Sequence, residues 1–142
     1  MGSQIRAAIV GSTGYGGVEL IRLLQHHPLV DVTSVISSSS AGAPVTDGYP
    51  HLAGILEQPL DPVDVEQIRG RADVVFTATP SGVSTELAPA LLEAGLKVID
   101  LAGDFRLKSR ALYEQWYQKR AADEEWLRRA VYGLAEVFGE EV

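Results

Sequence analysis

Ile5-Arg6-Ala7-Ala8-Ile9-Val10-Gly11-Ser12-Thr13-Gly14-Tyr15-Gly16-Gly17-Val18-Glu19-Leu20-Ile21-Arg22-Leu23-Leu24 is the stretch whose reading decides the fold. Its first six residues are mostly aliphatic and stop at a glycine, which predicts a buried strand over Ile5 to Val10. Val18, Leu20, Ile21, Leu23 and Leu24 recur at helical spacing, predicting a helix that ends before Pro28. Between the two lies G-x-x-G-x-x-G (Gly11, Gly14, Gly17), with a further glycine at position 16. Glycine permits a tight strand-to-helix turn, and the missing side chains let backbone N–H groups approach an anion at the helix N-terminus. The same glycines also suit a turn that only packs helix on strand.

Further along, the pattern repeats. Val30 to Ile36 reads as a second strand, and residues 38–54, rich in Ser, Gly and Pro, as a long loop. Val63 to Ile68 can form one or two helical turns. Val74 to Ala78 is apolar without alternation, as expected for a parallel strand covered on both faces. Leu87, Leu91 and Leu92 share a helical face with Gly95 as its C-terminal cap. Pro89 places the regular start of that helix near Ala88 or kinks it, with Ser81 or Ser84 available as N-cap. Val98 to Leu101 is the next strand. This order predicts an α/β fold: a Rossmann-like, doubly wound, mostly parallel sheet with right-handed crossovers and helices on both faces. Residues 1–142 are expected to form one dinucleotide-binding domain.

From Asp104 onward the chain carries eight acidic and seven basic side chains. Leu112, Tyr113, Trp116 and Tyr117 form an aromatic helical stripe, expected to pack into the core, and Tyr132 to Val137 is expected as a late strand.

Composition excludes several classes of function. The 142 residues are 46% hydrophobic and 22% charged, ordinary for one globular domain. There is no cysteine, hence no disulfide, thiolate metal site or thiol nucleophile within these residues. A net charge of −7 argues against a phosphate-tracking nucleic-acid surface. No apolar run approaches the ~18 residues of a membrane span, and the start leaves no room for a signal peptide. A cytoplasmic protein is expected. His26, His27 and His51 have no metal-ligand spacing; the first two suit a helix C-terminus.

The candidate cofactor site comprises Gly11, Ser12, Thr13, Gly14, Tyr15 and Gly16 at the turn. An NAD site places an acid roughly 20 residues beyond the glycines, on the ribose 2′-hydroxyl. Here the stretch reads Val35-Ile36-Ser37-Ser38-Ser39-Ser40, without an acid, so Ser37 and Ser38 favour NADP. A plain polar loop explains the same serines. Pro80 and Ser81 follow the third strand, where ligands of open α/β sheets gather. Arg106, in Asp100-Leu101-Ala102-Gly103-Asp104-Phe105-Arg106-Leu107, suits a phosphate; the alternative is an ion pair with Asp104 or Asp100.

Val10 to Leu20, Asp100 to Leu107, Tyr113-Glu114-Gln115-Trp116-Tyr117 and Val131-Tyr132-Gly133-Leu134 together resemble the N-terminal, cofactor-binding part of the N-acetyl-γ-glutamyl-phosphate reductases. The glycine segment is shared with aspartate-semialdehyde dehydrogenases. The resemblance implies NADPH-dependent reduction of an acyl phosphate in arginine biosynthesis, through a cysteine thioester and a histidine acid/base. It also implies a small-molecule acyl-phosphate substrate, a homo-oligomeric full-length protein and a substrate-phosphate role for Arg106. The family's cysteine and histidine lie beyond the matched part, so the chain reads as a fragment that is inactive alone. Ala135 stands where the family usually has proline, Ser81 where Pro-His is common, and Ser38 near a frequent arginine. The alternatives are a stand-alone, non-catalytic dinucleotide sensor, a related semialdehyde dehydrogenase domain, or a structural α/β interaction protein.

Overall fold

In the computed structural model, which describes residues 4–142, the aliphatic run Ile5–Val10 forms strand β1. Its residues divide between two cores: Ala8 and Val10 face one apolar cluster, Ile9 the other. That two-sided burial is why the run shows no polar alternation. Helix α1 (Tyr15–Leu24) packs Ile21 into the Ile9 cluster. Strand β2 (Val30–Ile36) pairs parallel to β1, with a register shift between Ala7 and Ala8 that leaves Thr33 unpaired. The Thr33 hydroxyl bonds instead to the carbonyl oxygens of Ala7 and Arg71.

The segment expected as a plain loop is partly ordered. It holds the short helix α2 (Val45–Gly48) and a 3₁₀ turn at Pro50–Leu52, because Val45 and Leu52 are apolar and both sink into the core beside Ile9. Helix α3 (Val65–Arg71) is capped by Asp64, which accepts the Gln67 N–H at 3.1 Å. Strand β3 (Val74–Thr77) pairs parallel to β1 on the side away from β2.

Helix α4 (Ser84–Glu93) starts four residues earlier than Ala88 and carries Pro89 in its interior. Val83 holds the N-cap position; the expected cap from Ser81 or Ser84 does not form, because the Ser84 hydroxyl turns to Asp100. The helix closes as expected at Gly95. With φ +85°, Gly95 donates to Leu92, and Leu96 donates to Leu91, the paired bonds of a Schellman turn.

Strand β4 (Lys97–Asp100) completes, among the described residues, a parallel sheet of order β2-β1-β3-β4. Ile68 of α3 and Leu91 of α4 cover the Ala8 face, and α1 covers the other, so helices lie on both faces. Among the described residues no helix is long and apolar enough to cross a membrane.

The C-terminal third departs from expectation. Helix α5 (Arg110–Tyr117) buries only part of its aromatic stripe: Tyr113 is fully buried, Trp116 is 73% exposed and Leu112 is also exposed. Leu112 and Trp116 form one i,i+4 pair and Tyr113 and Tyr117 another, about 100° further round the helix, so only the tyrosine pair turns towards the core. After α6 (Glu124–Arg129), the expected strand at Tyr132 to Val137 is instead a tight turn, in which the Leu134 N–H meets the Tyr132 carbonyl, followed by helix α7 (Ala135–Phe138). Among the described residues, Tyr132, Leu134, Val137 and Phe138 of this segment stay 38–66% exposed and pair with no sheet edge.

Candidate functional site

The β1–α1 turn is held from beneath by the end of β2. The Ile36 carbonyl accepts the Gly11 N–H at 3.0 Å, the Ser12 N–H at 3.2 Å and the Ser12 hydroxyl at 3.0 Å. Tyr49, from the segment after α2, donates its phenol to the Thr13 carbonyl at 2.6 Å. The turn is thus strapped from two sides.

Its glycines have different jobs. Gly11 has φ +81°, and a Cβ there would strike the Ala78 carbonyl at the end of β3. A Cβ at Gly17 would strike the Gly11 carbonyl and lie 2.7 Å from the Ser12 Cα. These two let the chain pack on itself. Gly14 is in extended backbone, φ −84°, and a Cβ there would lie 3.5 Å from its nearest neighbour, the Gly11 carbonyl. Gly16 is similarly open, with Ala78 Cβ at 3.9 Å. A Cβ at Gly14 would make only ordinary contacts with the Gly11 and Ala78 carbonyls, so among the described residues no steric clash requires glycine there. Among the described residues, the N–H groups of Tyr15 and Gly16 in the first turn of α1 have no backbone acceptor, as a helix N-terminus offers an anion.

A cleft of about 610 Å³ opens beside this turn. Gly11, Thr13 and Gly14 line it with Ser37, Ser38 and Ser39 from the end of β2, and Ala78, Thr79, Pro80 and Val83 line the side beyond β3. The structure therefore brings together Gly11, Thr13, Gly14, Ser37, Ser38 and Pro80 from the sequence-derived set. Four residues of that set do not line the cleft. Ser12 is fully buried with amide and hydroxyl both given to Ile36, which fits it to hold the turn. Tyr15 projects to solvent, 93% exposed, while Gly16 and Ser81 sit just outside.

Among the contributors not singled out by the sequence are Ser39 and Val63, which line the cleft, and Tyr49, which straps the turn. The serine run signalled the first; the other two reach the site only through the path of the loop. Glu86 is the only charged residue lining the cleft among the described residues, so hydroxyls and amides form the β2 side.

The β3–α4 loop that makes the other side is tied down by two carboxylates. One oxygen of Asp100 accepts the hydroxyls of Thr77 at 2.6 Å and Ser84 at 2.8 Å, and the Ala102 N–H at 3.3 Å. Its other oxygen is buried and, among the described residues, unpartnered. Asp104, fully buried, accepts the Gly82 N–H with both oxygens at 2.9 Å and the Tyr113 hydroxyl at 2.7 Å. Burial, then the bond to Asp104, pushes the Tyr113 phenol well above its ordinary pKa, so it stays a donor.

The ion pair considered for Arg106 with Asp104 or Asp100 does not form, because both carboxylates face the β3–α4 loop. Arg106 lies exposed in a separate hollow along β4, with Arg129 and Trp126, and is not brought to the glycine cleft. His26 lies just past the end of α1 and its ring nitrogen meets the Arg22 carbonyl at 2.8 Å. Among the described residues, no group of three or more His, Cys, Asp or Glu could hold a metal ion.

A parallel sheet wound on both faces, with a glycine turn at a helix N-terminus and a cleft at the strand ends, defines a dinucleotide-binding domain of the Rossmann class. Residues 6–142 match the family described as "Semialdehyde dehydrogenase, NAD binding domain", and the chain belongs to that family. It is 54% identical over 138 residues to the N-acetyl-gamma-glutamyl-phosphate reductase of Bacillus cytotoxicus, covering 97% of this chain and 40% of that protein. The enzyme of the same name from Bacillus cereus is 54% identical over 132 residues, 93% of this chain and 38% of that protein. The chain thus spans about 40% of the length of these relatives.

Among solved structures, aspartate semialdehyde dehydrogenase with NADP from Candida albicans superimposes with a TM-score of 0.67 at 26% identity. The match covers 76% of this chain and 32% of that one. Aspartate semialdehyde dehydrogenase II from Vibrio cholerae gives 0.58 at 26% identity, over 74% and 30%.

Proposed function

We propose that this chain is the NADP(H)-binding domain of a reductase that converts N-acetyl-γ-glutamyl phosphate to the corresponding semialdehyde. The observation that carries the binding half is Gly14: it lines the cleft, and a Cβ there would meet the chain only at ordinary contact distance, so no clash within the protein calls for glycine. The turn around it fits a pyrophosphate through Gly11, Thr13, Gly14 and the free amides of Tyr15 and Gly16. Ser37 by its hydroxyl and Ser38 by hydroxyl and amide would take the 2′-phosphate side, with no carboxylate lining that side of the cleft to repel it. Pro80 and its neighbours would form the opposite wall. The relatives at 54% identity support the acyl-phosphate substrate.

When bound, NADPH would supply a hydride; the chain's own residues bind and orient it and shield it on the β3 side. With no cysteine present, these 142 residues provide no thiol for the covalent step the resemblance implies. Arg106, apart from the glycine cleft, would meet the substrate phosphate from the β4 side. Arginine biosynthesis, a cytoplasmic location and a homo-oligomeric longer protein follow from the same reading and rest on the resemblance.

A chimera tests the assignment: this chain replaces the matched 138 residues of the Bacillus cytotoxicus reductase. It should oxidise NADPH with N-acetyl-γ-glutamyl phosphate, whereas the 142 residues alone should not. A folded chimera that binds NADPH but leaves this substrate untouched contradicts the substrate assignment.

A further inference from the structure

Asp104 is a fully buried carboxylate that a reading of the site as a glycine cradle leaves without a task. Burying a charge is costly unless it is fully hydrogen-bonded, and here the donors are one backbone amide, Gly82, and one phenol, Tyr113. Gly82 belongs to the loop whose residues 78–80 and 83 wall the cleft. It has φ +96° and its open face lies on the Lys119 side chain. The carboxylate is itself fixed in place. Its neighbour Gly103 lies directly under the Tyr117 ring, and that ring stacks on Tyr113 with centroids 4.7 Å apart. At the near end the same loop is anchored by Asp100 through Ser84, which also contacts Thr79 at 3.0 Å.

We propose that Asp104 is a positioning residue for dinucleotide binding, holding the β3–α4 loop at Gly82 so that Thr79 and Pro80 form a fixed wall of the cleft. This rests on the dinucleotide reading of that cleft. Tyr113 acts through Asp104: it orients the carboxylate, and its own hydroxyl does not reach the cleft. The serines at the end of β2 stand on the other side of β1, held by other contacts, and should not feel the change.

The proposal separates two halves of one ligand. Binding of NADP⁺ and of adenosine 2′,5′-bisphosphate is measured by calorimetry on the 142-residue chain and on Asp104→Asn, with folding followed by circular dichroism. In Asp104→Asn the amide cannot offer two acceptor oxygens to Gly82. NADP⁺ affinity should fall about tenfold while the bisphosphate stays within twofold. Tyr113→Phe, which leaves the Gly82 bonds in place, should give the same split at about threefold, and it decides the matter if Asp104→Asn does not fold. Equal losses for both ligands, or no loss in either variant, would overturn the positioning role. Failure of the unaltered chain to bind either ligand would instead overturn the dinucleotide reading.

Discussion

At the end of β2 the cleft is walled by Ser37, Ser38 and Ser39, where the Ser37 hydroxyl meets those of Thr13 and Ser39 only at 3.4 Å. At the end of β3 it is walled by a loop fixed by two carboxylates through bonds of 2.6 to 2.9 Å to Thr77, Ser84 and Gly82 and pressed against Gly11. One wall is a set of loosely placed hydroxyls that a ligand can organise; the other is built into the core before any ligand arrives. Substitutions on the first should change what binds. Those on the second should change the stability of the domain and, where they only loosen the wall, the affinity for the half of the ligand that rests on it.

The junction of the turn with the rigid wall gives the largest expected effect. Gly11→Ala would force a left-handed backbone on alanine and drive its Cβ into the Ala78 carbonyl, costing about 3 kcal/mol or more by urea unfolding. A loss below about 1 kcal/mol would mean the two segments are not rigidly apposed. Gly14→Val takes the opposite course. Extended backbone and a Cβ at ordinary contact distance keep the loss at this N-cap position to about 1 kcal/mol, while the branched side chain fills the cradle and NADP(H) binding is lost. Normal binding by that folded variant would make the glycines purely architectural.

On the loose wall, Ser38→Asp should reverse the cofactor preference towards NAD(H) by roughly tenfold or more, since Ser38 is exposed and a carboxylate there repels the 2′-phosphate. Ser37→Asp should do the same with an added stability loss, because Ser37 is buried. An unchanged preference in both would remove the serines from the 2′ site.

The smallest effect lies away from both walls. The Arg6 side chain and backbone amide hold the Asp73 carboxyl down from 3.8 to about 2. A carboxyl depressed in the folded state stabilises above its unfolded value and loses that contribution as pH falls through its folded one. The melting temperature of Asp73→Asn should thus sit slightly below the parent at pH 6, and the gap should close between about pH 4 and pH 2. Both side chains are about half exposed, so the gap is small. A gap that persists at pH 2 would assign the effect to something other than this pair.

The legible parts were those decided by neighbours in sequence. Ile5–Val10 and Val30–Ile36 form strands at the bounds their β-branched runs mark, and the glycine turn falls between strand and helix. Partners 16 to 23 residues apart were not legible. Asp100 and Asp104 looked like mates for Arg106, two to six residues away, but turn back across the sheet to Ser84, Thr77 and Gly82. Pro89 suggested a helix that starts late or is kinked; the late start does not occur, since α4 runs from Ser84, where Asp100 takes the serine hydroxyl. Tyr132 to Val137 has the composition of a strand but finds no sheet neighbour, and strand propensity without a partner does not make a strand.

Titration of NADPH and NADH against the unaltered 142-residue chain tests the central claim most directly. Saturable one-to-one binding of NADPH, tighter than that of NADH, is the predicted result. Equal or stronger binding of NADH would contradict the assignment of Ser37 and Ser38, and no binding of either would contradict the cleft as a dinucleotide site.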